Sequence, residues 1–216
     1  IMQSNLALAS MTYWIVNALT SLFILFIILG MARLLFMIIL TYRERRKDRK
    51  RDLKGFPAAQ APLVSIIVPG YNEEVNAVSS LRNLLLQDYP NFNIIFVDDG
   101  SKDETYKRVS EALSDNPKMV ILTKPNGGKA SALNYGIAHT DAEFVVCIDA
   151  DTKLYPNAVS LMMRHFAQGK DSEKIGAVAG NVKVGNQLNM LTKWQAIEYT
   201  TSQNFDRMAY ANINAI

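Results

Sequence analysis

From Tyr13 to Leu40 the chain is almost wholly apolar, and Arg33 is the only charged residue in the stretch. About 20 residues of helix cross the hydrocarbon core of a bilayer, so this run can span one with residues to spare. A signal peptide would carry positive charge ahead of a shorter apolar run. Here no Lys or Arg precedes the run, and the basic segment Arg43-Glu-Arg-Arg-Lys-Asp-Arg-Lys-Arg51 follows it directly. The positive-inside tendency then predicts an outside N-terminus and a cytoplasmic chain after Tyr42, at the face of the cell membrane.

A span from roughly Trp14 to Ala32 puts Arg33 near the cytoplasmic interface, where its stem can snorkel. Leu34 to Leu40 then continues as a helix along the membrane or against another helix. The alternative is a partner helix that satisfies Arg33 within the bilayer. Tyr13 and Trp14 suit the outer interface. Much of the positive charge sits in the one basic segment, so the net charge of +3 reads as a topology signal and a contact with anionic lipid, with no nucleic-acid partner implied. Residues 1–42 are thus read as the transmembrane segment. Residues 43–62 are a basic juxtamembrane stretch and a linker ending in Gly55-Phe-Pro-Ala-Ala-Gln-Ala-Pro62, and 63–216 are one folded domain.

In that domain, short apolar runs alternate with segments of helical spacing. Leu63 to Val68, Asn93 to Val97, Met119 to Leu122 and Phe144 to Ile148 read as strands, with Ile175 to Gly180 as a fifth. Helices are predicted to about Gln87, from a Ser101/Glu104 capping box to about Leu113, through Ala132, Leu133 and Ile137, from about Pro156 to Phe166, and from Leu191 to about Ala209. The alternation predicts an α/β domain with a mainly parallel sheet and helices on both faces. The dense run Phe144-Val-Val-Cys-Ile reads as buried on both faces. Cys147, the only cysteine, is then a small core residue with no partner for a disulfide or a zinc site.

Ligands of such sheets bind outside the carboxyl ends of the strands. Every unusual cluster falls at such an end: Pro69-Gly-Tyr-Asn-Glu-Glu74, Asp98-Asp-Gly-Ser101, Lys124-Pro-Asn-Gly-Gly-Lys129 and Asp149-Ala-Asp151. Alternate residues of an extended segment share a face, so Asp149 and Asp151 can share one ligand or one metal. Adjacent carboxylates repel unless a divalent cation or hydrogen-bond donors compensate them, and Mg²⁺ and Mn²⁺ are commonly shared with a diphosphate. Gly128 and Lys129 at a helix start offer backbone amides and an ammonium to an anion. The rim therefore points to a nucleotide. No Walker A spacing, dinucleotide-binding glycine fingerprint, His-Glu-x-x-His or Gly-x-Ser-x-Gly is present, and His139 and His165 sit in helical contexts as structural residues.

The ordered motifs Val68-Pro-Gly-Tyr-Asn-Glu73, Val97-Asp-Asp-Gly-Ser-Lys-Asp103, Asn126-Gly-Gly-Lys-Ala-Ser-Ala-Leu-Asn134 and Asp149-Ala-Asp151 resemble the family 2 glycosyltransferases. The resemblance covers about Pro62 to Ile216. It extends in particular to the membrane-bound processive synthases of cellulose, hyaluronan, chitin oligosaccharide and poly-N-acetylglucosamine, and most of all to the last. It implies a GT-A fold and a UDP-sugar donor, with N-acetylglucosamine as the sugar, an inverting transfer, and a polysaccharide as acceptor. By it Tyr71, Glu73 and Asp99 would hold the uridine with Asp98 beside them, and Pro69 and Asn72 belong to the same donor-binding set. Gly128 and Lys129 would meet the diphosphate, and Asp149 and Asp151 would bring Mg²⁺ or Mn²⁺ to it. Members of the family carry a Thr-Glu-Asp-like base segment, a Gln-x-x-Arg-Trp motif and further transmembrane helices, none of which this sequence contains. The chain is accordingly expected to be a donor-binding portion whose catalytic base lies beyond Ile216, its membrane partner being either a separate subunit or further C-terminal transmembrane helices. Neither Glu198 nor Asp206 has the context of that base.

Other readings compete with this one. Transfer of a sugar to a polyprenyl-phosphate lipid uses the same family. A phospho-accepting receiver domain also has acids at strand ends, but Asp98 and Asp99 fall on the second cytoplasmic strand instead of the first. A membrane-tethered binding domain without catalysis is the third alternative.

Overall fold

The computed structural model describes residues 2–50, 55–167, 175–185, 189–201 and 207–212. The chain divides into two compact units, Leu53–Gly180 and a second formed by Ile1–Asp52 with Asn181–Ile216.

In the first unit, β1 (Val64–Gly70), β2 (Phe92–Asp98), β3 (Met119–Thr123) and β4 (Phe144–Cys147) form one sheet in the order β3-β2-β1-β4. All its pairings are parallel, with Val64 opposite both Phe92 and Phe144, and Ile94 opposite Met119. Helices α2 (Ala77–Leu84), α3 (Thr105–Leu113), α4 (Lys129–Ile137) and α5 (Ala158–Ala167) connect or follow the strands. The period of two in a strand sorts the side chains onto two faces. Val64, Ile66, Val68, Ile94 and Phe96 pack with Leu81 and Leu84 of α2, Val109 of α3 and Val159 and Met163 of α5. Ile67, Ile95 and Val97 pack on the opposite face with Ala132 of α4. Because β1 and β2 are covered on both sides, their residues are apolar almost without interruption, as a doubly covered parallel sheet requires.

Strand β4 departs from its predicted burial. It pairs with β1 alone among the described residues, and α4 packs on β1 and β2, so one face of β4 has no cover. Phe144 and Val146 are partly buried, whereas Val145 is 41% exposed and Cys147 is exposed too, not a core residue. Burial still alternates beyond the strand. Ile148 and Ala150 are buried at 8% and 5% exposure, and Asp149 and Asp151 between and after them stand exposed.

Three other boundaries differ from the sequence reading. The Ser101/Glu104 capping box does not form and α3 starts at Thr105, because the Ser101 hydroxyl accepts from the Asn72 amide instead. Residues 175–180 form no strand, since Gly176 and Gly180 weaken an extended run and no neighbour pairs with it. The last helix begins at Met190 as α6 (Met190–Glu198), opened by a reciprocal Asn189/Thr192 cap, and α7 (Arg207–Asn212) runs past the end expected near Ala209, with 202–206 outside the described residues.

In the second unit α1 runs unbroken from Met2 to Lys50, so the basic segment continues the apolar helix. At 1.5 Å per residue such a helix is roughly 73 Å long, well beyond the ~30 Å hydrocarbon core. Its Ser10–Arg46 portion is long and apolar enough to cross a membrane, and its large side chains there are mostly exposed. Met37 and Leu40 are the buried exceptions. They enclose Ala209 of α7, which is fully buried, so of the two roles expected for Leu34 to Leu40 this end of α1 takes the one against another helix.

Candidate functional site

Parallel pairing brings the carboxyl ends of all four strands to one edge of the sheet, and polar contacts join the segments that leave them. The β1–α2 loop is clasped to the β2–α3 loop. Asn72 N–H donates to Ser101 Oγ at 2.9 Å, Glu73 N–H to Thr105 Oγ1 at 2.8 Å and Glu74 N–H to Asp103 Oδ2 at 3.3 Å. In return Lys102 N–H donates to Asn72 Oδ1 at 2.9 Å and Glu104 N–H to Glu74 Oε2 at 3.1 Å. Of the residues expected to hold a base, Pro69 lies inside β1 opposite Val97, Tyr71 is 43% exposed, and Glu73 is half-buried. Asn72 carries the only positive φ outside glycine among the described residues, at 56°.

Asp98 and Asp99 end β2 and are both 3% exposed. Their carboxylates do different things. Asp99 Oδ1 receives Lys124 Nζ at 2.6 Å, and its two oxygens accept from the amides of Gly127 (3.1 and 3.2 Å) and Gly128 (2.7 Å). Asp99 therefore fills the cradle at the start of α4 as an internal anion, and the two glycine amides read from the sequence as open to a ligand are occupied. Asp98 Oδ2 accepts from Ser101 N–H at 3.2 Å and from the Thr123 hydroxyl at 3.1 Å, while its buried Oδ1 has no partner in the described structure. A buried acceptor left open costs about 1–3 kcal/mol, so it calls for a donor from outside the described chain.

Burial pushes the Asp99 carboxyl up, but the Lys124 ammonium and the two glycine amides outweigh it and hold the group below the ordinary aspartate range. Burial likewise raises Asp103, and its bonds from Thr105 and from the Glu74 amide bring it below that range. A depressed carboxylate contributes stability above its unfolded value, and loses it as pH falls through the folded one. The melting temperature of the chain is therefore expected to hold above pH ~5 and to fall steeply below ~4, and Asp99→Asn to flatten that decline, as a pH series of thermal melts would record.

Lys129, the first residue of α4, reaches across to β4, where its Nζ forms an ion pair with Asp149 Oδ1. Both are more than half exposed, so the pair contributes little to folding and can exchange partners. Asp151 accepts only a long 3.5 Å bond from the Thr152 hydroxyl. No cluster of three or more His, Cys, Asp or Glu stands together among the described residues. The strand ends at Cys147 and residues 150–151 form a turn, so the extended spacing expected of the acids is not kept, but two exposed carboxylates two residues apart fit Mg²⁺ or Mn²⁺ all the same. These hard ions take oxygen ligands and complete their shells with phosphate and water.

Lys124, Asp103 and Thr105 received no role from the sequence. Lys124 had a legible signal. Two adjacent acids at a buried strand end need a cation, and Lys124 is the first basic residue after β3. The clasp had none, since it depends on which amides face the 101–105 loop.

A rim of this build, buried acids behind and a lysine against an exposed acid in front, places both an anion contact and a cation contact at the carboxyl edge of an α/β sheet. Residues 65–212 match glycosyl transferase family 2, and the chain belongs to that family. The fold resembles mannosyltransferase PcManGT from Pyrobaculum calidifontis, solved in complex with GDP-Man and Mn²⁺. Its TM-score is 0.52 and its identity 28%, over 63% of this chain and 41% of that one. Poly-beta-1,6-N-acetyl-D-glucosamine synthase of Staphylococcus epidermidis is 36% identical over 138 residues, 64% of this chain and 33% of the relative. The enzyme of the same name from Staphylococcus aureus strain COL is 34% identical over the same length. The chain thus spans about a third of the curated relatives it matches.

Proposed function

We propose that this chain is the donor-binding part of a metal-dependent glycosyltransferase that takes UDP-N-acetylglucosamine and serves the growth of a polysaccharide at the cytoplasmic face of a membrane. The observation that carries the reading is the juxtaposition of Lys129 with Asp149 just past the end of β4, two residues from Asp151, which is exposed as well. An ammonium held on a carboxylate in an exposed pair is a charge balance that a diphosphate and a divalent cation can take over together, the phosphate meeting Lys129 and the cation meeting the acids. Similarity to the poly-N-acetylglucosamine synthases supports the choice of sugar, and the Mn²⁺ and GDP-Man of the archaeal neighbour support a divalent ion with a nucleotide sugar.

Asp149 and Asp151 would hold the ion, which would supply positive charge to offset that of a diphosphate leaving group. Lys129 adds a fixed positive charge at the same place. Tyr71 and Glu73 would meet the nucleoside, and the open acceptor of Asp98 would suit an N–H donor. Asp99 acts from behind by fixing the Gly127–Gly128 turn that starts α4. Pro69 and Asn72 shape the loop between β1 and α2. The basic end of α1, facing the cytoplasm by the positive-inside tendency, meets anionic lipid.

Titration of the chain with UDP-N-acetylglucosamine and Mn²⁺ tests the reading. Wild type is expected to bind only with the metal, and Asp151→Asn to weaken binding by about tenfold or more, the equivalent of one lost contact to a charged group. Equal, metal-independent binding by both proteins would defeat the metal assignment, and absence of binding by wild type would defeat the donor assignment.

A further inference from the structure

The clasp between the two loops has a regularity that folding stability alone does not require. Three successive amides of one loop, those of Asn72, Glu73 and Glu74, each meet a side-chain oxygen from alternate residues of the other, Ser101, Thr105 and Asp103. The middle contact is a relay. The Glu73 amide donates to Thr105 Oγ1, and that hydroxyl donates onward to Asp103 Oδ1 at 2.5 Å, which also takes the Thr105 amide at 3.0 Å. Thr105 is fully buried, so the relay is shielded from water. The loop it holds contains Asn72 in the left-handed region, a conformation that costs a non-glycine residue about 1–2 kcal/mol and persists only where the surroundings determine it. Asn72 is gripped from both sides, by Ser101 on its amide and by the Lys102 amide on its side chain.

We infer that Ser101, Asp103 and Thr105 are positioning residues for the nucleoside end of the donor site, holding Tyr71 and Glu73 where a base is met. None of the three is assigned a contact with the ligand, and all act through the backbone of residues 72–74. The inference rests on the donor-site reading above and deepens it. It separates the rim into two parts. The clasp governs recognition of the base, while Lys129, Asp149 and Asp151 govern the phosphates and the metal.

The test uses the whole chain and two probes, UDP and inorganic pyrophosphate, each with Mn²⁺. Thr105→Val keeps the volume and removes the hydroxyl. It is expected to weaken UDP about five- to twentyfold and pyrophosphate less than about twofold, the range of one or two lost hydrogen bonds acting on one end of the ligand. Thr105→Ser restores the hydroxyl and is expected to restore UDP affinity. Ser101→Ala, at a half-buried position, is expected to weaken UDP about three- to fivefold by the same route. Hydrogen exchange at the amides of Asn72, Glu73 and Glu74 is expected to quicken in Thr105→Val and to return to the wild-type rate in Thr105→Ser. Unchanged UDP affinity in Thr105→Val and Ser101→Ala overturns the inference, as does an equal loss for UDP and pyrophosphate, which marks a general loss of fold. Wild type failing to bind UDP sinks the donor reading itself, whereas wild-type binding with indifferent variants sinks the positioning role alone.

Discussion

Asp99→Ala is expected to lower the stability of the chain by about 3–5 kcal/mol and to abolish binding of UDP, the largest effect of any single change at the rim. The alanine leaves the Lys124 ammonium in a site where its side chain is only 13% exposed, with no counter-charge. It also strips the acceptor from the amides of Gly127 and Gly128. Breaking one side of a buried pair is costly because the surviving charge stays desolvated, while removing both sides is cheap. Asp99→Ala combined with Lys124→Met is therefore expected to regain a large part of the lost stability without regaining UDP binding, since the Gly127–Gly128 turn remains untethered. Urea unfolding and UDP titration of the two proteins read the two halves of this statement. An unfolding midpoint for Asp99→Ala equal to that of wild type would show that the pair does not hold the loop.

Gly100→Ala comes next, with an expected loss of about 2–4 kcal/mol. Gly100 has φ of 70°, and a Cβ there would lie 2.7 Å from the Asn126 amide nitrogen and 3.2 Å from the Lys124 carbonyl oxygen. Both neighbours are backbone, so relief requires moving the whole 124–128 loop away from Asp99. Gly128 supplies the control. Its φ is 84° and its ψ 166°, yet a Cβ would meet nothing within 4 Å, and Gly128→Ala is expected to cost backbone strain alone, about 1–3 kcal/mol. Equal losses for the two alanines, measured by thermal melts, would mean that the collision at Gly100 is relieved locally.

Much of the architecture could be read from apolar periodicity. Ile66 to Val68 and Ile94 to Val97 announce doubly covered strands, and the alternation of strands with helices places Tyr71, Asp98, Lys129 and Asp149 on one edge before any coordinate is known. What periodicity leaves out is the neighbour. Phe144-Val-Val-Cys147 has the composition of a central strand, but its burial depends on whether another element covers it, and no local signal states that. The same holds for Ser101, whose hydroxyl suits its own helix start and the Asn72 amide equally well by type, and goes to the second because the β1–α2 loop runs alongside. Asp98 and Asp99 read as a like pair, and only the approach of Lys124 and Gly128 divides them into a tethered acid and one with an open oxygen.

The clasp also bears on how the sheet finds its alignment. Apart from the polar rung where Ser65 Oγ donates to Asn93 Oδ1, the runs Val64-Ser-Ile-Ile-Val68 and Phe92-Asn-Ile-Ile-Phe-Val97 are apolar on both faces, so their greasy side chains alone discriminate weakly between alignments of β2 along β1. Past the last rung, Gly70 opposite Asp98, the tolerance ends. A slip of one residue would carry the amides of Asn72, Glu73 and Glu74 away from Ser101, Thr105 and Asp103 and break all three contacts of the clasp. The polar loops thus act as a vernier that adds to the Ser65–Asn93 rung, and a mutation in them would be felt as mispairing during folding as well as in the finished pocket.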